Sequence, residues 1–358
     1  MKALVLTAFG GPENFEMKNI PMPEVRQGTL LIKLAATSIN SLDVKIREGG
    51  LAIVPDLPAV LGSDVAGTVE EVGAGVVGFC VGDEVYGCAG GVKGLGGTLA
   101  EYIVADVRLI APKPKALSML EAAALPLVSI TAVQALERAA ASANDHVLIH
   151  GGVGGVGHIG IQFAKALGCR VAATIGGDED DAVVRKLGAD DVINFRKETV
   201  KEYVHRLTSG CGFDVILDTV GKKNLLGSME AAKSYGRIST TNGRVTVDLS
   251  MAHEKTLALY FNFMMLALIN GNGREEHGKI LRHVTSLVED GRIRPLIDAE
   301  RFTLETAADG QRRLASGQSK GKVVVAIGSP ERQGWIREVS SRSASTDTSA
   351  STSLRSPA

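Results

Sequence analysis

Two different rhythms of hydrophobic and polar residues divide this chain. Up to about residue 117, short apolar runs alternate with glycine and proline turns, as at 29–34, 66–72 and 99–104. No long helical period interrupts them. Turns this frequent predict short strands packed as an all-β barrel or sandwich.

From about residue 144, apolar runs alternate with helical segments. Strands are predicted at 146–149, 170–175, 191–195, 213–218 and 237–241. Helices are predicted at 157–167 and 178–187, and Gly168 and Gly188 follow them in the position of a left-handed cap. Apolar strands that alternate with helices predict a parallel sheet covered on both faces.

The connecting and terminal segments complete this division. Ser118 and Glu121 form a capping box before an alanine-rich helix, which Pro126 should divide into two pieces. A helix at 278–289 and a closing strand at 322–327 are expected to rejoin the N-terminal barrel. The Ser/Thr-rich tail, 331–358, is predicted to be disordered.

Composition narrows the classes of function. A chain of 358 residues favours two domains, and its net charge of −1 gives no electrostatic reason for nucleic acid or an anionic membrane as partner. Four cysteines without a C-x-x-C pair fit a reducing compartment. The longest apolar stretch, 257–269, is too short to span a bilayer, and the strand-like 3–6 leaves no room for a signal peptide. We expect a cytoplasmic protein.

The strongest chemical signal is HGGVGGVGHIG at 150–160, directly after an apolar run. Gly152, Gly154 and Gly157 fit G-x-G-x-x-G, in which the glycines permit a tight turn, close backbone approach and helix–strand packing. Free amides at the following helix N-terminus favour an anion such as a pyrophosphate. With Gly155 and Val156, these residues are the predicted dinucleotide-binding loop.

Several segments together resemble the medium-chain dehydrogenase/reductase superfamily. They are FGGPENFE, LGSDVAGTVEEVGAGVVGFCVGDEVYG at 61–87, EAAALPLVSITAVQAL at 121–136, and the glycine loop, in order across about 1–328. The resemblance implies an α/β protein with two domains. A GroES-like catalytic barrel comprises 1–120 and is completed by about 271–328, and a Rossmann domain with a doubly wound parallel sheet comprises 121–270. The active site would lie in the cleft between them.

The zinc ligands of many family members are missing from this chain. Asn40 stands at the first cysteine position, Ser63 replaces the histidine, and no cysteine follows near Pro126. Catalytic zinc requires three such ligands and an open position. Asp64 offers a carboxylate but would lack soft partners. The remaining pattern resembles the zinc-free quinone oxidoreductases and enone reductases, so no metal is expected.

The acceptor site is expected around Asn40, Asp43 and Lys45, which resemble the N-P-x-D-x-K-x-R signature of enone-reducing members, with Ser41 in place of the proline. Hydride transfer from a nicotinamide to a quinone or enone places negative charge on the substrate oxygen, which preorganised donors stabilise. Asn40 and Lys45 are the candidate donors. Asp43 is interpreted as an orienting carboxylate. The proton could come from water or from Lys45.

The resemblance also implies contacts to the nicotinamide half of the cofactor, from Thr131, Asn242, Phe261 and Phe263. Core packing is an equal explanation for 260–263. Lys322, in the closing G-K-V-V strand, is carried over as a cofactor contact.

Nucleotide preference is decided after the second Rossmann strand, where relatives commonly have S-S-x-x-K and this chain has Gly176, Gly177 and an acidic 178–180. Two interpretations of the acidic run are open: it repels a 2′-phosphate, or it only caps a helix. Arg196 or Lys197 could supply the missing positive charge. NADPH is favoured by the branch, and NADH is not excluded.

Two other functions remain open at this point. One is an alcohol or aldehyde dehydrogenase-type oxidoreductase, which would need an electrophile in place of zinc. The other is a non-catalytic NADPH-binding protein on the same scaffold. The resemblance also implies a homodimer paired through Rossmann strands, with a small molecule as the substrate.

Overall fold

The computed structural model describes residues 1–328, and the tail at 331–358 lies outside the described residues. The N-terminal part contains mainly short strands. They are β1 (Lys2–Leu6), β2 (Phe15–Asn19), β3 (Thr29–Ile39), β4 (Ala59–Val60), β5 (Asp64–Val72), β6 (Glu84–Cys88), β7 (Tyr102–Asp106) and β8 (Ile110–Pro112). Its helices are α1 (Ser41–Glu48), α2 (Met119–Ala123) and α3 (Pro126–Arg138), with 3-10 turns at Pro12–Asn14 and Val107–Leu109.

The second part alternates strands and helices. Its elements are β9 (His146–His150), α4 (Gly155–Ala166), β10 (Arg170–Ile175), a 3-10 turn (Asp178–Asp180), α5 (Asp181–Lys186), β11 (Asp191–Asn194), α6 (Val200–Thr208), β12 (Phe213–Asp218), α7 (Asn224–Ala231), β13 (Ala232–Thr240), α8 (Ser250–Glu254) and β14 (Ala258–Phe261). The chain then continues through α9 (Leu266–Asn270), α10 (Arg274–Glu289), β15 (Phe302–Thr303), α11 (Ala307–Ala315) and β16 (Val323–Ala326).

The α/β fold with a barrel-like part and a parallel sheet is confirmed. Six parallel strands follow the order β11-β10-β9-β12-β13-β14, so the chain reverses direction across the sheet between β9 and β12. Ligands of such sheets bind beyond the carboxyl ends of the strands at this reversal. Val147 on β9 lies between Val171 and Val215, and all three are fully buried.

The last strand returns to the first part. β16 pairs antiparallel with β3, and Val323 faces Ile39 in the register. It belongs to a seven-stranded sheet. Six of the strands follow the order β15-β16-β3-β5-β6-β8, and the seventh, β7, pairs with β3. This pairing places Lys322 beside Asn40, although 282 positions separate them in the chain.

Several element boundaries differ from those that the sequence predicts. The strand expected at 99–104 is β7, Tyr102–Asp106, because Ala100 forms only an isolated bridge to Ala3. The helix expected at 157–167 begins earlier, at Gly155, and the one expected at 178–187 is divided into a 3-10 turn and α5. The division of the alanine-rich helix at Pro126 is confirmed, since proline without an N–H fits the first turn of α3.

The apolar stretch at 257–269 does not form one element. It contains β14, at an edge of the parallel sheet, and the start of the short helix α9. Within residues 1–328, no helix has the length and apolar character required to traverse a bilayer.

Candidate active site

A cleft of about 890 Å³ lies between the two parts of the chain. The start of α1, including Asn40 and Lys45, forms one wall with Lys322. The glycine loop and the carboxyl ends of the parallel strands form the opposite wall. Of the predicted site residues, the cleft brings together Asn40, Lys45, Thr131, Gly154, Gly155, Val156, Asn242, Phe261, Phe263 and Lys322.

The glycine loop divides into residues that shape the turn and residues that face the cleft. A Cβ on Gly157 would lie 2.0 Å from the carbonyl oxygen of Gly151, and one on Gly152 would lie 2.9 Å from the Val184 side chain. These two glycines are required by packing and do not line the cleft. Gly154, Gly155 and Val156 line it and begin α4.

This loop fits a dinucleotide. The first N–H groups of a helix have no partner within the helix and attract anions. A Cβ on Gly155 would lie 3.2 Å from Val128 and 3.3 Å from the Lys322 stem, in the space that backbone and pyrophosphate would share. The residues present therefore suit the nicotinamide cofactor that the fold implies.

Asn40 is held on both sides of its amide. It follows β3 directly, caps α1 and is 4% exposed. Its Nδ2 donates to Asp64 Oδ2 at 2.8 Å, and its Oδ1 accepts a hydrogen bond from Lys322 Nζ. We call Asp64 and Lys322 the Asn40 clamp. Because one Nδ2 hydrogen remains beyond the bond to Asp64, Asn40 keeps a donor on the cleft wall.

Asp64 is fully buried and surrounded by donors. Besides the Asn40 amide, Ser38 Oγ donates to it at 2.5 Å and the Leu127 N–H at 2.8 Å. That N–H belongs to the first turn of α3, where the helix dipole favours negative charge. Sequence reasoning weighed Asp64 only as a metal ligand. Its position in the triplet Gly62-Ser63-Asp64, where relatives have G-H-E, was the available signal.

The ammonium of Lys322 is engaged by groups of the protein, and its predicted cofactor contact stays a prediction. Its ammonium contacts Asn40 Oδ1, the Ile39 carbonyl at 3.3 Å and Asp64 Oδ2 at 3.4 Å, which occupies its three hydrogens. Only the aliphatic stem lies near the glycine loop. The residue is 2% exposed, so the ion pair with Asp64 is shielded from water.

Asp43, a predicted catalytic residue, does not line the cleft. Its carboxylate accepts the Asn40 backbone N–H at 2.8 Å at the start of α1. Burial, with a smaller contribution from the charge of Asp64, raises the pKa of Asp43 to about 7. Asp43 therefore fixes the backbone of Asn40, and its interpretation as an orienting carboxylate stays a prediction.

Lys45 lies on the exposed face of α1 and lines the same wall as Asn40. Partial burial, together with the charges of Lys222 and Arg244, lowers the pKa of Lys45. A lysine with a lowered pKa releases its proton more readily near neutral pH.

The opposite wall holds the predicted nicotinamide contacts. Thr131 Oγ1 donates to the Leu127 carbonyl at 2.7 Å, and Asn262 Nδ2 donates to the Thr131 carbonyl at 3.2 Å. Phe261 and Phe263 are about half exposed, at 55% and 51%, so they are not core residues. Asn262 lies within the segment 260–263 that the resemblance assigns to the nicotinamide pocket, although the sequence alone did not single it out.

Gly176 and Gly177 lie beyond the cleft, after β10, and their predicted cofactor contact stays a prediction. A Cβ on Gly176 would be 3.5 Å from the Phe195 ring and 3.9 Å from the Arg196 guanidinium. The Arg196 guanidinium stands 5.9 Å from the centre of the Phe195 ring and forms no ion pair within residues 1–328. Lys197, in contrast, is paired with Asp178.

The acidic run at 178–181 is neutralised by neighbouring cations. Asp178 pairs with Lys197, Asp180 with Lys320 at 2.5 Å, and Asp181 with Arg185 at 2.8 Å. Lys320 also lies 3.8 Å from Glu179. The repulsion of a 2′-phosphate that the sequence suggests is therefore reduced, because each carboxylate has a cationic neighbour.

The donor set around Asn40 does not suit zinc. The described part of the chain has no group of three or more His, Cys, Asp or Glu placed to hold a metal ion. An amide from Asn40, a hydroxyl from Ser63 and one carboxylate replace the soft ligands that zinc prefers. The ammonium of Lys322 already neutralises that carboxylate.

Comparisons with known proteins agree with this geometry. Residues 26–115 match a family described as the alcohol dehydrogenase GroES-like domain, and 187–325 match one described as zinc-binding dehydrogenase. The chain is 34% identical to 2-methylene-furan-3-one reductase of Solanum lycopersicum over 91% of this chain and 79% of that protein. It is 32% identical to NADPH-dependent alkenal/one oxidoreductase of Arabidopsis thaliana, with the same coverage of 91% and 79%.

Two further proteins match over nearly their whole lengths. Quinone oxidoreductase of Rattus norvegicus is 31% identical, over 91% of this chain and 98% of that protein. The solved structure of an alcohol dehydrogenase superfamily protein from Novosphingobium aromaticivorans is 37% identical, with a TM-score of 0.88 over 92% of this chain and 100% of that one.

Proposed function

Because the chain belongs to the medium-chain dehydrogenase/reductase superfamily, in its branch of quinone oxidoreductases and enone reductases, we propose that it reduces a quinone or an α,β-unsaturated carbonyl compound with NADPH. The observation that carries this proposal is the Asn40 clamp, which faces the glycine loop across one cleft. The clamp fixes a neutral hydrogen-bond donor where zinc enzymes of the family place their metal, so the proposed reaction is zinc-independent.

The bound cofactor supplies a hydride from its nicotinamide ring. The glycine loop would hold its pyrophosphate, and the wall with Thr131 and Asn242 would receive its nicotinamide end. Asn40 donates its second Nδ2 hydrogen to the substrate oxygen, which gains negative charge as hydride arrives at the β-carbon of an enone or at a quinone ring. A donor fixed in advance needs no reorganisation at that moment, so its position contributes directly to the rate.

Asp43 and Lys45 have separate parts in this proposal. Asp43 holds the backbone of Asn40 through the N–H that it accepts. Lys45 supplies a positive charge near the acceptor, and Lys45 or water delivers a proton to the α-carbon of the enolate. The lowered pKa of Lys45 supports a proton-donating role.

NADPH is the proposed cofactor because Arg196 is available for a 2′-phosphate. Its guanidinium lies beside Gly176, where the second strand of a Rossmann sheet meets the adenosine ribose. An arginine fork suits phosphate oxygens, and the carboxylates nearby are paired with other cations.

Two further proposals concern the state of the protein. We propose a homodimer, since β14 is an edge strand that ends at the exposed Phe261. We also propose a cytoplasmic location, which the widely spaced cysteines favour. Light scattering of the purified protein tests the first, and fractionation of the source cells tests the second.

The test of the function is a substrate panel with both reduced nucleotides. It should include 3-penten-2-one, a simple o-quinone and ethanol, with metal analysis of the same preparation. NADPH oxidation by the enone or the quinone, without dependence on added zinc, supports the proposal. Oxidation of ethanol alone would contradict it, and so would failure to oxidise either nucleotide.

A further inference from the structure

The charged groups on the cleft wall have one sign. Three cationic side chains line the cleft, from Lys45, Arg244 and Lys322, and no Asp or Glu does so within residues 1–328. Lys322 is balanced by Asp64 inside the wall. The other two cations therefore have no counter-charge in the cleft itself.

Lys45 and Arg244 face each other from opposite walls. Lys45 comes from α1, about one turn and a half beyond Asn40, while Arg244 follows β13 on the other side. Neither forms an ion pair with any residue in the described range, nor does Lys222. The charges of Lys222 and Arg244 act on Lys45, and the opposing contribution of Glu48, which lies outside the cleft, is smaller. Like charges brought together across a cleft repel unless an anion lies between them.

The cofactor phosphates have other binding groups. The pyrophosphate belongs at the glycine loop after β9, and a 2′-phosphate belongs near Arg196 after β10 and β11. β13 is separated from β9 by β12, so the strand that precedes Arg244 lies about 10 Å from the strand that precedes the loop. Arg244 is thus displaced toward β14 and the wall with Phe261 and Phe263, away from the phosphates.

We propose that Lys45 and Arg244, with Lys222 behind them, bind an anionic group of the substrate. The substrate class is then an α,β-unsaturated ketone or a quinone that carries a carboxylate or a phosphate at a distance from the reacting carbons. This inference rests on the proposed reductase function and names its substrate class more narrowly. The anionic group takes no part in the reaction. Hydride goes to the β-carbon and the nicotinamide is oxidised, while water supplies the proton to the α-carbon because Lys45 is engaged by the anionic group.

The test compares one enone in two charge states. (E)-6-Oxohept-4-enoate carries a carboxylate separated from the enone by two methylene groups, and its methyl ester is the neutral equivalent. The wild-type protein should reduce the acid with a kcat/KM about tenfold or more above that of the ester, the size of effect that one charge-assisted contact produces. The neutral 3-penten-2-one serves as the reference substrate.

Variants test whether the cations cause the preference for the acid over the ester. In Arg244→Gln and Lys222→Gln, the ratio of kcat/KM for acid and ester should fall several-fold toward one. Lys223→Gln is the matched control, because Lys223 is a neighbouring exposed lysine that, unlike Lys222, is not among the charges that lower the pKa of Lys45. It should keep the wild-type ratio. Circular dichroism of each variant confirms that it is folded.

Each outcome has a distinct meaning. Equal kcat/KM for acid and ester, or reduction of 3-penten-2-one without reduction of the acid, would overturn the anionic substrate and leave the reductase function intact. A rise in the KM for NADPH in Arg244→Gln that is equal with both substrates would assign the cations to the pyrophosphate and also overturn it. Failure to reduce any enone or quinone would overturn the proposed function itself.

Discussion

Replacing Lys322 with methionine tests whether the Asn40 clamp is needed for catalysis. The ammonium of Lys322 contacts Asn40 Oδ1 and lies 3.4 Å from Asp64 Oδ2. Methionine keeps the length of the buried stem beside the glycine loop but removes all three donors. The Asn40 amide then loses the bond that fixes its Oδ1 and is held only through the bond from its Nδ2 to Asp64.

The size of the effect follows from the two groups that lose a partner. A hydrogen bond to a charged group contributes about 1.5–3 kcal/mol, and an oxyanion donor contributes about 10²–10³ in kcat. We therefore expect kcat to fall about 100-fold. The free energy of unfolding should fall by about 3 kcal/mol, the lower end for a broken buried pair, because Asp64 keeps three other donors.

The assay is steady-state oxidation of NADPH with 3-penten-2-one, with urea unfolding of the same samples. The loss should appear in kcat, with little change in the KM for NADPH, because the glycine loop is untouched. Lys322→Arg, which restores the charge and donors, should recover part of kcat. A folded Lys322→Met enzyme that retains kcat within about threefold would refute the role of the clamp, since the expected loss is about 100-fold.

Three further predictions follow from other parts of the molecule. Arg196→Gln should weaken the binding of NADPH about tenfold or more without weakening the binding of NADH, which nucleotide fluorescence would measure. Lys197→Gln is the control and should have a smaller effect, because Lys197 is paired with Asp178. Equal effects of the two variants would contradict the assignment of Arg196 to the 2′-phosphate. Because the pKa of Asp43 is raised to about 7 in the folded state, the unfolded state releases this proton first and stability falls as pH rises from about 4 to about 7. Between about pH 5 and about pH 8, the free energy of unfolding of the wild type should fall by up to about 3 kcal/mol through this group, and Asp43→Asn should lack that fall. Urea unfolding of both proteins at the two pH values measures the difference, and parallel pH profiles would contradict it. Tyr86→Phe should cost about 1 kcal/mol in thermal unfolding, since the Tyr86 hydroxyl donates to the Leu281 carbonyl at 2.6 Å, and an unchanged melting temperature would contradict that contribution.

The structural features that the sequence predicted depend on residues close together in the chain. The glycine loop follows an apolar run and opens a helix within a few residues, so strand, turn and helix are all encoded by neighbours. The break at Pro126 has the same local origin, because the missing N–H of proline acts within one turn. The α/β fold could be recognised because each strand of the parallel sheet is a separate apolar segment.

The features that the sequence did not predict depend on contacts between residues far apart in the chain. Lys322 reaches Asn40 only because β16 pairs with β3, and no local pattern specifies that register. The pairing of Asp180 with Lys320 is a similar case, in which a loop before β16 neutralises a run after β10. The strand expected at 99–104 was misplaced because a lone bridge at Ala100 and a continuous strand have the same apolar pattern.

The central claim is that Asn40, fixed by Asp64 and Lys322, stabilises the charge that hydride transfer creates on a carbonyl oxygen. The most direct measurement is NADPH oxidation by 3-penten-2-one and by an o-quinone, with the wild type and with Asn40→Ala. We predict turnover by the wild type with at least one of them and a kcat about 100-fold lower in the folded variant. An Asn40→Ala enzyme with wild-type kcat, or a wild-type protein that oxidises NADPH with neither acceptor, would contradict the account.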